Sequence, residues 1–139
     1  MTRINIVPPE LLSDKHLSAE RYELPRVITA VLNAQQADKT PQDFDIPPEY
    51  RLGTGHVKFF YDKLAWVCDR LRLLHLEAAT RGWDVDLLGL EKDLAHRVST
   101  LHMHWFNDCA FSPNAYYLNM ARLAKRSKMA EVIHELNQA

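Results

Sequence analysis

Apolar residues recur at helical spacing along most of this chain. Leu17, Leu24, Ile28, Val31 and Leu32 mark one stripe. They predict a long helix from Ser13 or Asp14, both good N-caps, to about Ala37. Pro25 falls inside it, removes one backbone donor and crowds the carbonyl of Arg21, which predicts a kink. Phe60, Leu64, Val67, Cys68, Leu71, Leu74 and Ala78 mark a second stripe. The expected helix runs from about His56 to Arg81, with Gly82 just past its end. A shorter amphipathic helix is expected over Asp84–Ser99, weakened near Gly89. Ser112-Pro113 opens a last helix carrying Tyr117, Leu118, Ala121, Leu123, Met129, Val132, Ile133 and Leu136. Pro8-Pro9-Glu10 reads as a turn, Thr40–Leu52 as a proline-marked loop, and Gly53-Thr54-Gly55 as a tight turn. His102–Phe111 follows no clear pattern, and no run alternates as a strand would. The expectation is an all-α fold: one compact domain over 1–139, with about three main helices and long loops.

Composition narrows the class. Of the 139 residues, 47% are hydrophobic and 25% charged, an ordinary globular balance with enough apolar mass for a core. The apolar runs are too short to span a bilayer, and the first residues lack a secretory pattern. A cytoplasmic monomer is expected. Cys68 and Cys109 have no CxxC pairing and read as reduced thiols, with a bridge between them left open. Gly53-Thr54-Gly55 lacks the third glycine and the strand of a dinucleotide fingerprint. His102-Met103-His104, with His96 nearby, raises a metal site, but H-x-H shares a face only on a strand, so no metal is expected.

The formal net charge of −1 argues against a nucleic-acid binder, and the distribution argues back. Arg3, Lys15, Arg21 and Arg26 gather near one end of the chain, and Arg122, Lys125, Arg126 and Lys128 near the other. The two groups form one patch if the ends meet in space. Otherwise they are two solvated helix faces.

Thr2 carries candidate chemistry. Removal of Met1 would leave a free α-amine with a reference pKa of roughly 7.7–8.0, so a sizeable fraction is neutral at physiological pH. A neutral amine can attack a sugar C1′ and form an imine. An exposed, inert terminus is the plain alternative.

The blocks Thr2-Arg3-Ile4-Asn5, Asp14-Lys15-His16-Leu17 and Ala19-Glu20-Arg21-Tyr22-Glu23-Leu24-Pro25-Arg26-Val27 resemble the pyrimidine-dimer DNA glycosylases, the phage endonuclease V family. Leu52-Gly53-Thr54-Gly55-His56-Val57-Lys58-Phe59-Phe60-Tyr61-Asp62-Lys63-Leu64 is similar to that family's other signature, and Arg81-Gly82-Trp83 to the end of its second helix. The resemblance covers roughly the first 83 residues and thins beyond. It implies that the N-terminal segment threads between helices and brings Thr2 beside the first one. Thr2 would then supply the imine-forming amine and Glu23 the essential carboxylate, with no cofactor. The implied partner is double-stranded damaged DNA, cut by β-elimination. DNA contacts would come from Arg3, Lys15, His16, Arg21, Tyr22, Arg26, His56, Arg122 and Lys125. Structural roles for His16 and His56, and core roles for Phe59, Phe60 and Tyr61, stand beside these.

Two departures from the family bear on substrate. Here Arg21-Tyr22 stands where the family has an aromatic and then an arginine, a rotation of about 100° per residue on a helix. Tyr22 is thus a candidate to stack on a nucleobase. The chain also lacks the family's aromatic tail, which leaves dimer, abasic site or another damaged base open as the lesion. The competing reading is a helical module that binds DNA without cutting it.

Overall fold

The computed structural model describes residues 3–124. Among the described residues five α-helices carry the fold: α1 (Asp14–Glu23), α2 (Pro25–Gln36), α3 (Leu64–Thr80), α4 (Leu87–Val98) and α5 (Pro113–Ala124). Single 3₁₀ turns stand at Pro9–Leu11, Pro41–Asp43, Lys58–Phe60 and Met103–Trp105. Among the described residues no strand forms; one isolated bridge pairs Lys63 with Phe106. The fold is all-α, as the periodicity requires. The expected extension of the last helix to Leu136 lies outside the described residues.

The interruption in the first expected helix falls at Pro25. Leu24 keeps helical angles (φ −58°, ψ −37°) and closes α1, and Pro25 opens α2 without an amide to donate. Ser13 caps α1, its hydroxyl accepting the His16 amide at 3.1 Å.

The second expected helix begins later than its stripe suggests. Gly53 and Gly55 sit at φ +71° and +88°, angles that glycine adopts without strain. His56–Lys63 then follows three-residue turns, with Phe60 N–H donating to Val57, Tyr61 to Lys58 and Lys63 to Phe60. Tertiary contacts hold this form. Lys63 pairs with Phe106, and Asn107 donates twice to the Asp62 carbonyl. The apolar spacing of Phe60 and Leu64 cannot reveal those partners. At the other end of α3 the Trp83 and Gly82 amides return to Ala78 and Ala79, the hydrogen-bond pair of a Schellman stop.

Gly89 does not weaken α4. It sits in the first turn, where its amide donates to the Asp86 carboxylate at 2.8 Å, and a side chain there would strike that carboxylate. α3 is central and packs against α1, α2 and α4. Its face of Leu64, Val67, Leu71, Leu74 and Ala78 is buried with Leu17, Leu24, Ile28, Val31 and Trp105. Cys68 and Cys109 are unbridged.

Candidate active site

Residues 3–7 run extended through the helices, with Ile4, Asn5, Ile6 and Val7 all buried. Buried backbone amides must find acceptors, and no strand lies alongside to supply them. Side chains do so instead. Arg3 N–H donates to Glu23 at 3.2 Å, Ile4 N–H to His56 Nε2 at 2.8 Å and Asn5 N–H to Glu20 at 3.2 Å. Asn119 Oδ1 accepts from both Ile6 and Val7, at 2.7 and 3.2 Å. On the carbonyl side, Ile4 O accepts from the Tyr50 hydroxyl and Arg122, and Val7 O from Arg70.

Glu20 and Glu23 are one helical turn apart on α1, so they share a face. Asn5 meets the first and Arg3 the second. The segment therefore runs along α1 with its lower numbers toward the C-terminal end of that helix. Glu20 is 1% exposed and binds Arg70 of α3 at 2.7 Å and the Asn5 amide group at 2.8 Å. Asn119 Nδ2 donates to Asn5 Oδ1, and so does Arg122. Every member of this buried network has its partner, the condition under which burial of charge is tolerated.

A cleft of about 300 Å³ opens beside the segment. Arg3, Asn5, Lys15, His16, Ala19, Glu20, Glu23, Arg122 and Leu123 line it. Of the two basic groups, α5 brings Arg122 against residues 4 and 5, while Lys125, Arg126 and Lys128 lie outside the described residues. Glu23, the last residue of α1, is half-buried at the wall, with the Arg3 amide on its Oε2. Burial, then the positive charges of Arg122 and Lys15, hold the His16 imidazole below its usual pKa. His16 therefore presents a neutral ring, its Nδ1 2.9 Å from the Ser13 hydroxyl.

Other expected contact residues are placed elsewhere. Arg21 does not line the cleft: its guanidinium lies 5.9 Å from the Trp83 ring, just past the end of α3. Tyr22 and Arg26 stand outside at the α1–α2 junction, with Arg26 5.6 Å from the Tyr22 ring and Tyr22 76% exposed. With the Arg21-Tyr22 order the aromatic stands in solvent and the cation is half-buried. His56 is 4% exposed and serves the chain start rather than the surface. Thr2 and Lys125 lie outside the described residues. Among the described residues no cluster of three or more His, Cys, Asp or Glu could hold a metal, and His102 and His104 have no third ligand.

Burial lowers the His56 pKa from 6.5 to about 4; the hydrogen bond to the Arg51 carbonyl opposes the shift and Arg122 reinforces it. The unfolded chain therefore binds more protons than the folded one between about pH 4 and 6.5. The stabilisation is complete above pH 6.5 and is lost as pH falls toward 4. His16 and His75 are shifted in the same direction. Urea unfolding should show a loss of about 2 kcal/mol from His56 alone on going from pH 7 to pH 5. Stability unchanged over that interval would mean that His56 is not held neutral.

The residues that sequence reasoning left without a role are Glu20, Arg70, Tyr50 and Asn119. Glu20 sits between Leu17 and Leu24 on the apolar face of α1, and Arg70 beside Val67 and Leu71 on that of α3. Opposite charges on two apolar stripes are the signal of a buried pair, and it was legible. Asn119 carries no such signal.

The family model for pyrimidine dimer DNA glycosylase matches residues 1–88 of the 139. That span holds the extended segment, α1 with both glutamates, α2, the glycine turn with His56, and α3. No helix among the described residues is long and apolar enough to cross a membrane. Damaged DNA is the partner that membership implies. The chain belongs to the pyrimidine dimer DNA glycosylase family.

Proposed function

We propose that this chain excises pyrimidine dimers from duplex DNA and then cuts the strand as an abasic-site lyase, using the α-amine of Thr2 as nucleophile. One observation carries the reading: the Arg3 amide, in peptide linkage with Thr2, donates to Glu23 at the wall of a cleft lined by Arg3, Lys15 and Arg122. That bond supports a reading in which nucleophile and carboxylate work together, with three cationic side chains along the same cleft.

The neutral amine attacks C1′ as the bond from C1′ to the base breaks, and the base departs with the bonding electrons and takes up a proton. Glu23 stabilises the positive charge that develops at C1′. Loss of the amine proton and opening of the sugar ring give the imine. The imine acidifies the C2′ hydrogen, a base removes it, and the C3′–O bond breaks, which cuts the strand on the 3′ side. Arg3, Lys15 and Arg122 hold phosphates, with salt-dependent affinity. Tyr22 and Arg26 offer an exposed aromatic and cation at the α1–α2 junction for an extruded or unstacked base.

Borohydride trapping tests the reading. Incubation with dimer-containing or abasic duplex DNA should give a covalent protein–DNA adduct, because borohydride reduces an imine to a stable amine. Undamaged duplex should give none. One residue added before Thr2 displaces the amine by about 3.3 Å and should abolish the adduct while DNA binding remains. A chain that binds damaged DNA tightly but is never trapped on either lesion is the binding module instead.

A further inference from the structure

The geometry points to His56 as a positioning residue, which sets the register of the chain start by accepting the Ile4 amide. The inference rests on the proposed role of Thr2. The ring is spoken for on both sides. Nδ1 lies 2.8 Å from the Arg51 carbonyl, which can only accept, so Nδ1 bears the hydrogen. Nε2 is then a bare acceptor and receives the Ile4 N–H at 2.8 Å. A peptide N–H can only donate, so the bond requires the neutral ring in this tautomer, and burial keeps it neutral. The T-shaped faces of Tyr50 and Phe60 hold the ring in place, at centroid distances of 5.4 and 6.0 Å.

His56 is not redundant with the other acceptors. Glu20 and Asn119 hold residues 5–7, downstream of the reacting end. Upstream of Asn5 the amides have Glu23 and His56. Glu23 has a reaction to serve, and its bond to Arg3 is the longer of the two. His56 comes from the glycine turn and not from α1, and so gives the segment a fixed point outside that helix. The residue before it is Gly55, at φ +88° and so close to Pro47 that a Cβ would lie 3.0 Å from its Cγ. The two sequence blocks shared with the family thus serve one site, the first supplying the reacting groups and the second a fixed point for them.

The test compares His56→Leu, His56→Gln and the parent protein on abasic duplex under single-turnover conditions. Adduct formation under borohydride, DNA affinity and urea stability are measured for each. His56→Leu fills the space without an acceptor and should slow trapping about 100-fold, the cost of roughly 1 Å of misplacement, at unchanged DNA affinity. His56→Gln can offer its amide oxygen near the Nε2 position and should recover most of the rate, although it loses the Arg51 contact. If both variants lose rate in proportion to lost stability or lost DNA affinity, His56 is only a core residue and the inference fails. If His56→Leu is trapped as fast as the parent, the register is set elsewhere and the inference also fails. A parent protein that is never trapped refutes the role of Thr2 itself, which separates the two failures.

Discussion

Glu23→Gln should bind damaged DNA about as well as the parent protein and turn it over some 10²–10⁴-fold more slowly, the range that a positioned acid–base or charge-stabilising group supplies. The substitution separates the two duties of this side chain. Glutamine keeps an oxygen that can accept the Arg3 amide, so the chain start stays where it is. It has no charge to offer the sugar carbon and no basic oxygen to take a proton. The cationic residues Arg3, Lys15 and Arg122 are untouched, so affinity and its salt dependence should persist. Single-turnover cleavage of a dimer-containing duplex, with binding measured in parallel, checks this. A variant that cuts at near-normal rate removes Glu23 from the chemistry.

The second large effect is on stability. Arg70→Met should cost about 3–5 kcal/mol, because it leaves the Glu20 carboxylate buried without its cation. Denaturant unfolding measures it. Buried ion pairs can often be exchanged for apolar pairs at little cost. The pair Glu20→Leu with Arg70→Met should not recover the loss here. Glu20 also accepts the Asn5 amide and side chain, and Arg70 also donates to the Val7 carbonyl. Each orphaned buried group costs about 1–3 kcal/mol. A double variant as stable as the parent would show the pair to be dispensable.

The helices were legible because their apolar stripes are long and regular, and the interruption at Pro25 because proline acts through its own ring. The start of α3 was not, because Asn107 and Phe106 impose turns on residues 56–63 from far along the chain. The same division runs through the site. Arg3, Lys15, His16, Glu23 and Arg122 were identified and share one cleft. His56 was identified with its structural alternative beside it, and the fold places it inside. Arg21 is expected among the DNA contacts, yet it shares the inner face of α1 with Leu17 and Leu24, four residues after one and three before the other. Asn119 was invisible, since an amide on a helix says nothing until the backbone it satisfies arrives 112 and 113 residues away.

An ordinary strand borrows its hydrogen bonds from a neighbouring backbone, which is the same for every sequence. The stretch from Arg3 to Val7 obtains its bonds from Glu23, His56, Glu20 and Asn119, each specified by its own codon. The alignment of this segment is therefore heritable one substitution at a time, and evolution can retune it without redesigning a sheet. By the same token it is fragile: a single nucleotide change far away in the gene can unfasten the segment while leaving its own residues intact.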